Sequence, residues 1–282
     1  EQGVICKLGG MTVRRGKLVS NVITYFLLAV MLVFGLFPIY WIAVTSLKSE
    51  RDVYVRIPEL WPKKPTFDSY RKLIFETGFL RYLKNSLVVS LVTTVVTLIA
   101  STLAGYSIAR LRFRGRAVLS PTILLAYLMP PTMLFIPLYM LITRWGLQDN
   151  LWGLVAIYPT LTVPYATWML ASYFQGIPVE IEEAAVVDGC SRMKALWEVV
   201  IPLASPGLIS TSIFSFTICW SEFLYALVII TTDSAKTIPL GLSGMMLADV
   251  YVWGQLMGGA MIATLPVIIL YTLASKYIVG GL

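Results

Sequence analysis

Long apolar segments recur along the chain and are separated by short polar ones. Five long windows carry no charged side chain, and a sixth is interrupted only by Glu222. About 20 apolar residues suffice for a helix to cross the roughly 30 Å of hydrocarbon in a bilayer. A lone apolar strand in lipid would leave its backbone groups unpaired, so each window predicts a helix. The predicted spans are 20–46, 86–109, 117–142, 151–174, 206–231 and 252–275.

Six such spans predict an all-α integral membrane protein in which residues 1–282 form a single transmembrane domain. An even number of spans places both termini on one side of the membrane. The short connection 110–116 carries four arginines, whereas the connection after the third span carries Arg144 alone. Since cytoplasmic loops are enriched in basic residues, we expect both termini, loop 110–116 and loop 176–205 on the cytoplasmic side of a plasma membrane.

The composition agrees with a membrane location and excludes several chemistries. Hydrophobic residues make up 57% of the chain and charged residues 13%, whereas a soluble domain has about 25% charged residues. The chain contains no histidine, which excludes histidine-based triads, zinc sites and proton relays. Its three cysteines are far apart and predict neither a disulfide framework nor a metal site. The net charge of +7 is typical of basic membrane loops and does not imply nucleic acid.

The connection 176–205 is too polar to span the membrane and too regular for a linker. Pro178 favours a helix start, and the acidic residues that follow it suit the positive end of the helix dipole. Gly189 is able to adopt the left-handed conformation that ends a helix, and Ser191 is a suitable cap for a second one. Pro202 is expected to end that second helix. Its predicted apolar stripe, which packs the helix against the spans, is Met193, Leu196, Trp197, Val200 and Ile201.

This connection carries a recognisable motif. Glu183-Ala184-Ala185, three residues, Gly189, nine residues and Val199-x-Ile201-Pro202 resemble the EAA loop of binding-protein-dependent ABC importers, whose pattern is EAA-x3-G-x9-I-x-L-P. Both departures are aliphatic exchanges. Segments 66–86, 104–116 and 220–224 are similar to the carbohydrate-uptake branch, and in particular to the second permease subunit of maltose- and trehalose-type systems.

The resemblance implies a permease subunit of a sugar importer, with a type I transmembrane fold and a cytoplasmic helix–turn–helix between the fourth and fifth spans. The implied partners are a second permease that completes a heterodimer, two ATPase subunits and an extracytoplasmic sugar-binding protein. The residues implied in ATPase coupling are Glu183, Ala184, Ala185, Asp188, Gly189 and Pro202. The chain lacks a G-x4-GK[ST] phosphate-binding loop. We therefore expect no cofactor on this chain and no enzymatic activity, with ATP and Mg²⁺ on the partner ATPases.

Glu222 is the one acidic residue within a predicted span, which makes it a functional candidate. It lies close to Trp220 and Tyr225 on a possible translocation path or gate. Three roles remain open for it: sugar contact, a gating or inter-subunit hydrogen bond, and simple solvation at the outer end. The solute also remains open between a sugar, glycerol phosphate and another small polar molecule. A stand-alone secondary transporter is the less favoured alternative, because ion coupling normally requires several intramembrane ionisable groups.

Overall fold

The computed structural model describes the backbone of residues 2–247 and 250–279 and the side chains of residues 20–246 and 252–275. The ends that were predicted to be cytoplasmic, residue 1 and residues 280–282, lie outside the described residues. The described part is almost entirely helical and has one antiparallel pair of two-residue strands, β1 (Met246–Leu247) and β2 (Val250–Tyr251). The predicted all-α class is therefore confirmed.

Long apolar helices alternate with short helices and turns along the chain. The first half contains α1 (Gln2–Ser46), α2 (Glu50–Val53), α3 (Asp68–Glu76), α4 (Phe79–Arg110), α5 (Arg116–Leu128), a 3-10 turn (Pro131–Leu134) and α6 (Phe135–Arg144). The second half contains α7 (Leu151–Ile157), α8 (Pro159–Gly176), α9 (Val179–Val187), α10 (Arg192–Ala195), a π turn (Leu196–Val200), α11 (Ile201–Leu203), α12 (Ser205–Ser221), α13 (Leu224–Ile229), a 3-10 turn (Asp233–Ala235), α14 (Ile238–Ser243) and α15 (Trp253–Val279).

Four segments of the described chain are long and apolar enough to cross a membrane, and two bent helix pairs raise that number to as many as six. The four segments are Ser20–Ser46, Phe79–Arg110, Leu151–Gly176 and Trp253–Ser275. The bent pairs are Arg116–Leu128 with Pro131–Arg144, and Arg192–Leu203 with Ser205–Ser221. The predicted window 117–142 is therefore not a single straight helix. Window 206–231 is not one either, because α12 ends at Ser221 and α13 begins at Leu224.

The third predicted span bends by 93° between α5 and α6. Met129 and Pro130, the two residues at the bend, have ψ values of 132° and 124° and are not helical. Each of them precedes a proline, and the proline ring disfavours the helical conformation of the residue before it. The Pro130-Pro131 pair therefore breaks the helix, whereas the single prolines at 121 and 164 remain inside helices.

The chain forms two compact units, residues 1–70 with 253–261 and residues 71–252 with 262–282. In the first unit, Lys48 is buried, donates a hydrogen bond to the carbonyl of Glu59 at 2.6 Å and lies 4.7 Å from the centre of the Trp41 ring. These contacts offset part of the cost of burying the ammonium group.

In the second unit, α4, α8 and α12 pack against one another and form the core that positions the candidate site. Small and hydroxyl-bearing side chains allow this close approach, as is usual for helices in membranes. The Thr97 and Thr162 hydroxyls are 2.6 Å apart. A Cβ on Gly105 would lie 3.0 Å from the backbone nitrogen of Ala171, so α4 and α8 are almost in backbone contact there.

The segment after α13 is held against the start of α4. Tyr82 donates a hydrogen bond to Asp233 at 2.6 Å, and Asn85 donates to the carbonyls of Ser234 and Lys236 at 2.9 Å each. The ammonium group of Lys236 lies 3.0 Å from the Asp233 carboxylate. The Tyr82 hydroxyl and Lys236 together lower the pKa of Asp233, which lies outside the apolar helices.

Candidate functional site

The connection 176–205 folds as a helix, a glycine turn and a second helix. Gly189 has a φ of 92°, in the region that L side chains rarely adopt. Its N–H binds the carbonyl of Val186, and the N–H of Cys190 binds the carbonyl of Ala185. These two bonds form the Schellman arrangement that ends a helix at a glycine. Ser191 then accepts a hydrogen bond from the backbone of Lys194 and caps α10.

The surface of α9 is open in this chain. Glu183, Ala184, Asp188 and Gly189 are exposed, and Ala185 is partly buried. The exposed fraction of Val187 reaches 86%. This nine-residue helix therefore exposes two carboxylates, an alanine and a large aliphatic side chain on one continuous surface.

One carboxylate of α9 points the opposite way and ties the helix to α4. Glu182 accepts a short hydrogen bond from the hydroxyl of Tyr106, and its other oxygen lies 3.1 Å from Nε of Arg110. The side chains of Arg110 and Glu182 are 6% and 11% exposed, so this ion pair is buried. Arg110 also donates to the carbonyl of Ile177 at 2.7 Å. The base of α9 is thus fixed to the last turn of α4 by charge-assisted contacts, which are stronger than neutral hydrogen bonds.

The second helix of the connection packs on an apolar cluster between α4 and α8. Its buried members are Tyr106, Leu170, Phe174, Leu196, Val200 and Ala204. Leu196 is fully buried, but Met193 and Trp197 are 56% and 54% exposed, which differs from the predicted packing of all three. A π turn follows over Leu196–Val200, in which the N–H of Ile201 bonds back to the carbonyl of Leu196. Its five-residue repeat widens the helix, so α-helical spacing does not hold beyond Leu196; Met193 lies before this turn, in the regular helix α10.

Pro202 lies in the last turn of the second helix. It is exposed, and the helix ends one residue later, at Leu203. The chain turns by 80° only after Leu203, where α12 begins at Ser205. A proline in a regular helix clashes with the carbonyl four residues earlier. The π turn directly before Pro202 relieves that clash by widening the helix.

Glu222 lies at a break in the fifth predicted span. α12 ends at Ser221 and Glu222 has an extended ψ of 129°. Its carboxylate accepts hydrogen bonds from the N–H groups of Tyr225 and Ala226 at 2.9 and 3.2 Å, and so caps α13. The hydroxyl of Tyr158, a fully buried side chain at the junction of α7 and α8, donates to it at 2.9 Å. Glu222 therefore ties the break in the fifth predicted span to the junction of α7 and α8 in the fourth.

The structure separates the three predicted path residues into two groups. Tyr225 belongs with Glu222, and its hydroxyl donates to the carbonyl of Pro131 at 2.8 Å, next to the bend of the third span. Trp220 faces another cluster, in which it stacks on Phe216 with ring centres 5.4 Å apart and donates to the carbonyl of Ala263 at 3.0 Å. Trp220 therefore positions α15 and does not line the cluster around Glu222.

Sequence reasoning did not single out Glu182, Tyr106, Arg110 or Tyr158. Three acidic residues lie in one turn of α9, and nothing in their order shows which of them faces inward. The available signal was the spacing of Tyr106 and Arg110, four residues apart on one face of α4, directly before the basic loop. Among the described residues, no group of three Cys, Asp or Glu side chains is placed to hold a metal ion.

Comparisons with known proteins agree on one kind of molecule. A family model described as binding-protein-dependent transport system inner membrane component matches residues 98–280. The inner membrane ABC transporter permease protein YcjP of Escherichia coli is 35% identical over 270 residues, which are 94% of this chain and 96% of that protein. The trehalose/maltose transport system permease protein MalG of Thermococcus litoralis is 33% identical over 257 residues, 89% of this chain and 91% of that protein.

The fold is also similar to a solved structure. A chain in the crystal structure of a bacterial ABC transporter involved in the import of the acidic polysaccharide alginate superposes with a TM-score of 0.79 at 23% identity. The match covers 92% of this chain and 96% of that one. The same helical fold therefore extends over nearly all of both chains.

Proposed function

Because the chain belongs to the family of binding-protein-dependent transport system inner membrane components, we propose that it is the permease subunit of an ATP-driven sugar importer. It forms half of the translocation pore, and a second, different permease forms the other half. Two ATPase subunits drive transport and an extracytoplasmic binding protein delivers the solute. ATP and Mg²⁺ bind to the ATPase subunits.

The observation that carries this proposal is the two-sided character of α9. On one side, Glu182 is locked to Arg110 and Tyr106 at the end of α4. On the other side, Glu183 and Ala184 are exposed. A short helix anchored on one face and open on the other transmits the displacement of a bound partner to the helix that anchors it. We therefore assign ATPase coupling to the exposed face of α9.

The substrate class rests on the relatives, and the role of Glu222 rests on its hydrogen bonds. The relative from Thermococcus litoralis is named for trehalose and maltose transport. Glu222 lies between α12 and α13, and its two carboxylate oxygens accept three hydrogen bonds. The donors are the hydroxyl of Tyr158 and the backbone N–H groups of Tyr225 and Ala226. Glu222 therefore acts as a gating residue that ties the break in the fifth span to the fourth span, rather than as a sugar ligand.

The membrane orientation follows from the same assignment. An ATPase that works in the cytoplasm requires α9 on that side, and the arginine-rich loop between α4 and α5 then lies there as well, in accord with the distribution of basic residues in membrane proteins. The segment after α13 lies on the outer side, where a binding protein arrives.

The coupling role is tested with Glu183→Lys combined with Gly189→Asp in the intact transporter. The first change reverses a charge on the exposed face of α9, and the second puts a side chain at a φ of 92°. We expect uptake of labelled sugar to fall to background while the amount of protein in the membrane stays the same. A cysteine at Ala184 is expected to crosslink to an ATPase subunit.

A matched control is available in the same loop. Glu198 is exposed and pairs only with its neighbour Lys194, and a Cβ on Gly176 would meet no atom within 4 Å. Glu198→Lys combined with Gly176→Asp therefore introduces the same residue types away from the exposed face of α9 and is expected to leave uptake nearly unchanged; it controls for the charges and not for the backbone strain, because Gly176 lacks the positive φ of Gly189. Normal uptake by the Glu183/Gly189 double variant would show that the coupling role is wrong.

A further inference from the structure

The exposed faces of α4 and α8 differ in polarity, although both helices belong to apolar spans. The residues that α4 exposes between positions 87 and 103 are all aliphatic and include Leu87, Leu91, Val95, Ile99 and Leu103. The residues that α8 exposes are instead Thr160, Trp168, Ser172, Gln175 and Gly176. Lipid chains form no hydrogen bonds, so hydroxyl, amide and indole groups within a span face a cavity or a protein partner rather than lipid. The exposed face of α8 therefore belongs to the inside of the transporter.

An aromatic cluster lies on this side of α8. Tyr165 is near the middle of the segment Leu151–Gly176. Its ring centre lies 4.0 Å from that of Phe214 on α12, 5.2 Å from that of Tyr127 at the end of α5, and 6.1 Å from that of Trp168. Three helices thus bring aromatic rings together at one depth.

The polar groups of this cluster are available to a ligand. Within the described part of the chain, the hydroxyls of Tyr127 and Tyr165 and the ring N–H of Trp168 form no hydrogen bond. The polar end of a Tyr or Trp side chain inside a protein usually has a hydrogen-bond partner. A solute with hydroxyl groups supplies such partners, whereas an acyl chain does not.

The same side of α8 continues into a cavity at the end of the helix that leads to α9. Ser172 and Gly176 follow Tyr165 by seven and eleven residues, which places both within about 20° of it around the helix axis. Both line a cavity of about 430 Å³, together with Leu203, Ala204 and Pro206. From Tyr165 to Gly176 the helix rises about 16 Å. A continuous face therefore connects the aromatic cluster to this cavity.

The chemistry of this face suits an uncharged solute. Neither α8 nor α12 contains an Asp, Glu, Lys or Arg residue. Phosphate groups are bound by basic side chains, so these helices offer no partner for the charge of glycerol phosphate. Aromatic rings with a few hydrogen-bonding groups are typical of sites for small uncharged molecules. A pyranose ring matches them, because its C–H groups form apolar faces and its hydroxyls lie around the edge.

We propose that Tyr165 and Trp168 contact the transported sugar in the middle of the membrane. The C–H face of a pyranose ring stacks on their rings, and the N–H of Trp168 donates to a sugar hydroxyl. Phe214 and Tyr127 hold the Tyr165 ring in place from α12 and α5. The cavity at Ser172 is the next position along the path. This assignment rests on the proposed function, because that function makes the solute a sugar.

The first test measures uptake by the intact transporter in proteoliposomes, with a panel of labelled mono- and disaccharides and labelled glycerol 3-phosphate as probes. Tyr165→Leu/Trp168→Leu is expected to lower the maximal rate of sugar uptake at least about tenfold, since two aromatic contacts are lost. ATP hydrolysis stimulated by the binding protein is expected to continue, because α9 and its anchor are unchanged. Tyr165→Phe/Trp168→Phe keeps aromatic rings and loses only the polar groups, so a smaller decrease of about two- to fivefold is expected.

A matched control removes the same two side chains elsewhere. Trp152 on α7 and Tyr271 on α15 are exposed, and neither belongs to the aromatic cluster. Trp152→Leu/Tyr271→Leu is therefore expected to leave the maximal rate of uptake nearly unchanged.

The second test does not depend on the folding of the leucine variant. The three cysteines are first replaced by Cys6→Ala, Cys190→Ala and Cys219→Ala. Single cysteines are then introduced by Trp168→Cys or by Val95→Cys, at positions 43% and 54% exposed in the isolated chain. A charged methanethiosulfonate reagent is expected to label position 168 at least about tenfold faster than position 95, because only position 168 faces water. A transported sugar is expected to slow the labelling of position 168.

Four results would overturn the proposal. Equal maximal rates for the wild type and Tyr165→Leu/Trp168→Leu would exclude a sugar contact. Loss of stimulated ATP hydrolysis together with uptake would show a structural role. Equal labelling at positions 95 and 168 would show that lipid or the second permease covers this face. These three results leave the proposed function standing. Uptake of glycerol 3-phosphate and of no sugar by the wild type would overturn the sugar importer and the sugar contact together.

Discussion

Replacing Glu182 with leucine removes the carboxylate that contacts Arg110 and Tyr106 beneath α9. Because the Arg110 side chain is only 6% exposed, the change leaves a buried guanidinium with no anion beside it. Breaking a buried ion pair from one side costs about 3–5 kcal/mol, whereas an exposed pair contributes about 0–1 kcal/mol. The burial of this pair therefore predicts a large loss of stability from a single substitution.

Thermal unfolding of the purified full chain in detergent measures this loss, with the fluorescence of its eight tryptophans as the signal. At about 2–4 °C per kcal/mol for a protein of this size, Glu182→Leu is expected to lower the Tm by roughly 6–20 °C. Glu183→Leu is the matched control, because Glu183 is the next residue and is exposed. It is expected to shift the Tm by no more than about 2 °C.

The double variant Arg110→Met/Glu182→Leu separates the ion pair from ordinary packing. Replacing both partners of a buried pair by apolar residues is often neutral or stabilising, so most of the lost Tm is expected to return. The reasoning is refuted if Glu182→Leu and Glu183→Leu shift the Tm equally, or if the double variant is as unstable as the sum of its two single changes.

Three further predictions use the same unfolding assay. Glu222→Gln keeps one acceptor oxygen but replaces the other with an NH₂ group, which faces N–H and O–H donors instead of accepting from them. It is expected to lower the free energy of unfolding by about 1–3 kcal/mol. An unchanged Tm would contradict the capping role. Gly153→Ala brings a Cβ against a backbone carbonyl oxygen, whereas Gly35→Ala meets no atom within 4 Å, so only the first is expected to destabilise, by about 1–3 kcal/mol. The backbone N–H groups of Thr232 and Thr231 and the Thr232 hydroxyl lower the pKa of Asp149 from its ordinary value. The stability that these bonds contribute is therefore present above the unfolded pKa and is lost as the pH falls through the lowered folded pKa. Asp149→Asn is expected to remove this part of the decrease in Tm at acidic pH.

The positions of the apolar helices follow from the sequence because lipid imposes a simple rule. A helix that crosses hydrocarbon has to satisfy all of its backbone hydrogen bonds internally, and its side chains have to be apolar. An uninterrupted apolar window therefore indicates such a helix. Phe79–Arg110 contains the predicted 86–109, and Trp253–Ser275 nearly coincides with 252–275. The start of α4 extends seven residues further out, since its first turns are amphipathic and carry charges that end a charge-free window.

The departures occur where two local rules compete. Pro130-Pro131 bends the third span by 93°, but Pro164 does not break α8, because a single proline costs one hydrogen bond whereas two in succession force two residues out of the helical region. The π turn over Leu196–Val200 has no signature other than the proline that follows it. The inward orientation of Glu182 depends on Tyr106 and Arg110, which are more than 70 residues away in the chain, and no local pattern encodes that contact.

α8 joins the two carboxylates that define the candidate site. Directly before its first residue, Tyr158 donates to Glu222, and directly after its last residue the carbonyl of Ile177 accepts from Arg110, the partner of Glu182. The helix between them has 18 residues and a length of about 27 Å. It packs closely on α4, where a Cβ on Gly105 would lie 3.0 Å from the backbone nitrogen of Ala171, so we expect it to move as a rigid body. A displacement of α9 should then alter the break at Glu222. The free-energy effects of substitutions at two sites this far apart normally add to within about 0.3–0.5 kcal/mol. The test is a double-mutant cycle in which uptake is measured for Glu182→Gln, Glu222→Gln and the double variant. A larger deviation from additivity would establish the mechanical link, and strict additivity would refute it.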